Sequence, residues 1–215
     1  MLSVVIPTAH EPENSFLQAT LKTLSKLNNV EVICVDKSEA VSRAERLNIG
    51  FERACGSMIL FHHPRSTIEE EGLKHLISRS EEKIWGAFTH KFDQKHWLLK
   101  FTSWYSNKIR GLGRSIFYLD HCIFFHRSLR QSPLPAIEIF EDTVLSAQLR
   151  QLQPPILLPF ISTTSAIRFT KNGLWKQAVM NQILKIAFTL NIPDQILSKI
   201  YEKNLNLNNQ TNKPS

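Results

Sequence analysis

Three short apolar runs rich in β-formers, LSVVIP (2–7), VEVICVD (30–36) and SMILF (57–61), are separated by two stretches with helical spacing, Phe16 to Leu27 and Ala40 to Ala54. Strands that alternate with helices pair in parallel through crossovers, so the pattern predicts a mainly parallel sheet with helices on both faces. A fourth run, IWGAFTHKF (84–92), adds a further strand. Sheets of this kind hold ligands beyond the carboxyl ends of their strands. The residues there are Pro7, Thr8, His10 and Glu11 after the first run, Asp36 and Lys37 after the second, and His62, His63, Pro64 and Arg65 after the third.

Past residue 95 the order changes. HWLLKFTSWYSNKI (96–109) sets Trp97, Phe101, Trp104 and Tyr105 on one helical face, and core or acceptor-side packing is favoured for it over nucleic-acid stacking. A basic glycine-containing loop, RGLGRS (110–115), and a strand, IFYLDHCIFF (116–125), follow. EIFEDTVLSAQLRQL (138–152) reads as an acidic start running into a helix, and Ile156 to Ile161 as a strand. In NGLWKQAVMNQILKIAFTL (172–190), Trp175, Val179, Ile183, Ile186 and Leu190 share a face opposite Lys176, Gln177, Asn181 and Lys185. Packing of that apolar stripe into the core is favoured over an interfacial helix on a membrane.

A chain of 215 residues can hold one substantial core, so residues 1–203 are expected to form a single domain and the Asn-rich 204–215 a frayed polar tail. No apolar run approaches the roughly 18 residues of a spanning helix, and the amino terminus reads as a strand without a basic leader; a cytoplasmic setting is expected. Cys34, Cys55 and Cys122 are odd in number, lie in apolar stretches and have no CxxC spacing, which favours reduced core thiols. The formal charge is +7. Residues 95–119 carry five Lys or Arg and no acid, and residues 160–203 carry six against two acids, a balance that suits phosphates of a nucleotide, a nucleic acid or a lipid headgroup. No recognisable nucleic-acid motif accompanies the charge, which ranks that partner last.

Six segments, in order, carry a resemblance: SVVIPTAHE (3–11), VICVD (32–36), SRAERLNIGFERACGSMILF (42–61), FYLDHCIFFHR (117–127), FEDTVLSAQL (140–149) and SAIRF (165–169). Together they resemble family-two glycosyltransferases of the GT-A fold, in particular the short bacterial single-domain branch. The resemblance implies a Rossmann-related, mixed but mainly parallel sheet flanked by helices. It implies inverting transfer from a nucleotide-sugar, a UDP-sugar above others, to a saccharide or lipid-linked acceptor at the inner face of a membrane. By position it makes Asp142 the base, with Glu141 beside it. It assigns donor contacts to Pro7, Thr8, Glu11, Asp36, Arg43, Asp120 and Arg168, and Mg²⁺ or Mn²⁺ to the diphosphate; Arg65, where the family carries an acid, is a donor-contact candidate through its guanidinium.

Each residue also has a plainer reading. An acidic pair at a helix start suits capping and the helix dipole, and Asp36 suits a turn. Arg168 suits a solvated surface. Asp120, inside an apolar strand, would need a cation or backbone donors. The pattern is departed from at four places: the chain from Asp36 to Ser42 is some twenty residues shorter, His10 replaces an Asn, Leu119 replaces a Gly, and the acidic metal ligand falls on Arg65. Three explanations stand for the last. His62 or His63 binds a metal, Arg65 itself holds the diphosphate, or catalysis is lost and the chain is a silent nucleotide- or partner-binding module.

Overall fold

A computed structural model describes residues 1–9 and 14–202 of the chain. The expected strands form as β1 (Leu2–Pro7), β2 (Val30–Val35), β3 (Met58–Phe61) and β5 (Trp85–Phe92), with a short β4 (Ser66–Ile68). Between them lie α1 (Ser15–Leu24), α2 (Arg43–Arg53) and α3 (Glu70–Ser78). The second half contributes α4 (Trp97–Trp104), β6 (Ile123–His126), α5 (Glu141–Arg150), β7 (Ile156–Thr164), α6 (Ile167–Asn172), α7 (Leu174–Thr189) and α8 (Asp194–Glu202).

Seven strands make one mixed sheet in the order β2-β1-β3-β6-β5-β7-β4. β1 runs parallel to β2 and β3, and β5 runs parallel to β7; β6 lies antiparallel between β3 and β5, and β4 antiparallel to β7. Because side chains alternate along a strand, each central strand supplies both faces. Val5, Ile59, Phe61, Trp85, Ile123 and Phe125 pack on one side with Leu47 and Leu145; Val4, Ile6, Leu60, Phe88 and Phe124 pack on the other with Leu73 and Leu76. Burial on both faces explains why these runs are nearly continuous in apolar residues. Ser42 caps α2 through a reciprocal capping box with Glu45, so the chain passes from β2 to α2 across only residues 36–42.

The second half corrects several expectations. The helix at 97 does not end in a basic loop: it continues as a π-helix over Tyr105–Leu112 that includes Arg110 and Gly111. A Cβ on Gly111 would lie 2.4 Å from Phe117 Cε1, so glycine permits that packing. The strand expected over 116–125 begins only at Ile123. Before it, Leu119–His121 is a turn of 3₁₀ helix, and Cys122 sits at φ 54°, which no strand tolerates. Cys34 and Cys55 are exposed, and only Cys122 is a core thiol; all three are free. The aromatic stripe of α4 is not core either: Trp97, Phe101 and Trp104 are exposed. So is the whole apolar stripe of α7, while Gln177 and Leu184 on its other side are buried. The tail 204–215 and Glu11 lie outside the described residues.

Candidate active site

The turn after β3 is built by proline. The His63 carbonyl accepts from the Ser66 amide at 3.0 Å, with Pro64 at the second turn position, where its fixed φ suits the bend. The turn delivers Arg65, almost fully buried, into a cavity of about 410 Å³. Arg43 from the start of α2 and Arg168 from α6 reach the same cavity, as do Arg110 from the π-helix and Lys185 from α7. The crowding of cations is felt by His63: burial, then the charges of Arg65 and Arg43, hold its imidazole well below its usual value. His63 is therefore neutral, and its Nδ1 accepts from the Arg65 amide at 3.2 Å. Its Nε2 lies 3.6 Å from Asp120 Oδ1.

Asp120 is not the buried strand carboxylate expected from sequence. It stands on the 3₁₀ turn with its side chain 40% exposed, facing the cavity, and its main-chain carbonyl accepts from Ser162 Oγ at 2.8 Å and Thr164 Oγ1 at 3.1 Å. Those two hydroxyls of β7 tie the turn to the sheet, which explains how a turn residue is fixed at a cavity wall.

The acidic pair at the start of α5 divides in two. Phe140, at φ 67°, forms the helix N-cap without a side-chain bond, so neither carboxylate is the cap. Glu141 is fully buried and paired with Arg43 Nε. It does not line the cavity, whereas Asp142 does. Burial, followed by the charge of Glu141, raises the Asp142 carboxyl to about 7, against the opposing pull of Arg43 and of the Leu119 amide, which donates to Oδ2 at 3.0 Å. A carboxylate that exchanges its proton near neutrality is suited to general-base work.

Neither a family model nor a curated protein matches the sequence. Solved structures do. S. aureus TarS 1–349 aligns with a TM-score of 0.58 at 15% identity, covering 96% of this chain and 71% of that one. The same segment in complex with UDP-GlcNAc gives 0.56 at 15% identity, over 96% and 72%. The mannosyltransferase PcManGT from Pyrobaculum calidifontis, in complex with GDP-Man and Mn²⁺, gives 0.61 at 14% identity, over 93% and 69%. The chain has a GT-A-like fold.

On that GT-A-like sheet, Arg43, Arg65, Asp120, Asp142 and Arg168 converge on one cavity. Pro7, Thr8 and Asp36 are not among its described walls. Thr8 Oγ1 instead donates to the Val35 carbonyl at 3.2 Å, and Asp36 Oδ1 accepts from the Ser38 amide at 2.9 Å in a turn of the plainer kind. Nor is Arg168 a solvated cation: its guanidinium lies 4.1 Å from the Tyr201 ring centroid and donates to the Tyr201 carbonyl at 3.3 Å. No group of three His, Cys, Asp or Glu able to hold a metal occurs among the described residues. Among the described residues the carboxylates on the cavity are Asp120, beside His63, and Asp142, and Mg²⁺ is commonly held by one or two carboxylates together with substrate phosphates. His62 is buried, its ring nitrogens have no partner among the described residues, and desolvation lowers it to about 4.

Sequence reasoning did not single out Tyr118 or Lys185 as site residues, and reached Arg110 only as part of the basic RGLGRS loop. The Arg110 guanidinium lies 3.5 Å from the Tyr118 ring centroid, and Lys185 Nζ lies 5.6 Å from it. Desolvation, with a smaller effect of Arg110, lowers Lys185 to about 8. The signal for Lys185 is the polar stripe it shares with Gln177 and Asn181, opposite the apolar stripe expected to face the core.

Proposed function

We propose that this protein transfers a sugar from a nucleotide-sugar, with UDP as the carrier, to an acceptor hydroxyl, with inversion and with guanidinium groups in place of a metal ion. The observation that carries the reading is one cavity holding both a raised carboxylate, Asp142, and four arginines, Arg43, Arg65, Arg110 and Arg168. Inverting transfer needs those two opposed functions, a base for the acceptor proton and positive charge for the departing diphosphate. Asp142 takes the proton of the acceptor hydroxyl as its oxygen bonds to the anomeric carbon; the bond from that carbon to the diphosphate breaks, and the diphosphate leaves with the electron pair. Arg65 pairs with the diphosphate through its planar fork of N–H donors. Glu141 holds Arg43 in place and has no proton to take from a ligand it does not touch. The nucleotide-sugars seen with TarS and PcManGT support the donor class, and the fold they share with this chain is the link.

The test is turnover over a panel of nucleotide-sugars, each with and without EDTA, for the wild type and Asp142→Asn. The amide keeps the shape and cannot accept the proton, so the rate should fall about 10²- to 10⁴-fold while nucleotide affinity holds. A variant retaining more than roughly a tenth of the rate would place the base elsewhere. Nucleotide binding without turnover by the wild type would leave the silent binding module as the better reading.

A further inference from the structure

We infer that α4, α7 and α8 together form a docking face for an anionic lipid bilayer, with α7 as the wall between that bilayer and the cavity. On α7 the stripe Trp175, Val179, Ile183, Ile186 and Leu190 is 55–70% exposed. It meets α4 where the Trp97 and Trp175 rings pack edge to face, 5.5 Å between centroids. On its other flank, Val179 and Ile183 form an open apolar groove with Ile196 and Ile200 of α8, both exposed. The three helices thus present one continuous apolar surface, far more than the scattered apolar residues of an ordinary surface. Among the described residues, no helix is long and apolar enough to cross a membrane, so the geometry is that of a face lying on a bilayer.

Charge selects the occupant. Each helix carries an exposed lysine at helical spacing from its apolar stripe: Lys100 between Trp97 and Trp104, Lys176 three residues before Val179, and Lys199 three residues after Ile196. Residues 95–119 hold no acid, and residues 160–203 only Asp194 and Glu202. A second copy of this chain would set a net-positive patch on itself, its three lysines outnumbering the two acids, Asp194 and Glu202, at the ends of α8. An anionic headgroup layer instead supplies the missing negative charge to the lysines while its acyl boundary takes the apolar side chains. Three of the four tryptophans, Trp97, Trp104 and Trp175, lie on this face, amphipathic rings suited to the headgroup level. The opposite side of α7 places Gln177, Leu184 and Lys185 in the cavity wall. Docking would therefore set the cavity beside the headgroups, and, resting on the proposed transfer, this points to an acceptor presented at the bilayer surface.

The experiment needs no substrate, so its outcome is independent of whether transfer occurs. The full chain is sedimented with phosphatidylcholine vesicles made with and without phosphatidylglycerol, and tryptophan emission is followed with brominated acyl chains as quencher. The expected result is binding to the anionic vesicles alone, a blue shift with quenching, and release as salt rises. Trp175→Gln/Ile183→Gln should weaken binding by at least about tenfold with unchanged thermal unfolding, since each exposed side chain removed forfeits its transfer into the acyl boundary. Lys100→Glu/Lys176→Glu/Lys199→Glu should weaken it without touching the apolar stripe. The inference is overturned by no vesicle binding at low salt, by binding that the variants leave unchanged, or by shielding of these tryptophans in a dimer or by another part of the chain without lipid.

Discussion

Replacing Arg43 with methionine tests the buried centre on which Asp142 rests. Glu141 is fully buried, its Oε1 is paired with Arg43 Nε, and its Oε2 has no hydrogen-bond partner among the described residues. The loss of Arg43 therefore leaves a carboxylate buried without its cation, a class of change that costs about 3–5 kcal/mol. At roughly 2–4 °C per kcal/mol for a chain of this size, the melting temperature should fall by roughly 6–20 °C. The double variant Arg43→Met/Glu141→Leu removes both charges and should regain most of that loss, since apolar replacements for buried ion pairs are often neutral or better. Urea unfolding of the wild type, both single variants and the double variant gives the coupling energy directly. An Arg43→Met protein within about 1 kcal/mol of wild type would refute the reasoning, because no partly exposed pair is worth more than that.

The remaining expectations concern the ligand and the proton. Arg65→Ala should weaken UDP binding by the roughly 1.5–3 kcal/mol of a lost charge-assisted pair, measured by calorimetry, while wild-type turnover survives EDTA; turnover abolished by EDTA would return the diphosphate to a metal. Asp142 is raised in the folded state, so between its ordinary acidic range and about 7 the folded protein holds a proton that the unfolded chain has released. Stability should therefore decline as pH rises across that window, and Asp142→Asn should flatten the slope, read from chemical unfolding at a series of pH values. The rate should move the opposite way, falling about tenfold per unit below a pH near 7, because only the ionised carboxylate accepts the acceptor proton.

Much of the sheet was legible because its strands are buried on both faces and so consist of nearly unbroken apolar residues. LSVVIP, SMILF and IWGAFTHKF became β1, β3 and β5 with boundaries shifted by no more than one residue. The strand read through Asp120 failed for a local reason. IFYLDHCIFF has strand composition throughout, yet the backbone turns at Leu119–His121 and takes positive φ at Cys122, and apolar content cannot report a change of backbone sign. The π-helix was hidden for another reason: two glycines among basic residues make RGLGRS read as a loop, whereas the helix continues through Leu112 and carries Arg110 to the cavity wall.

The site was half legible, and α7 explains the missing half. Amphipathic spacing separates two faces of a helix but does not say which of them is inside. The usual inference, apolar inward, assumes that the neighbouring space is core. Beside α7 the neighbouring space is instead a cavity lined by Arg110, Tyr118 and Asp142, where an isoleucine would strand polar groups and Lys185 or Gln177 gives them company. The polar stripe is drawn in by that cavity, and the apolar stripe is turned out as a consequence. Arg65 follows the same logic: a cation with little exposure is tolerated only beside polar or anionic groups, and among the described residues Asp120 and Asp142 share its cavity. Under the proposed transfer, a cavity whose described lining carries more cations than acids would take the anionic donor, Asp142 would receive the acceptor proton, and the outward apolar flank would face an amphiphilic acceptor.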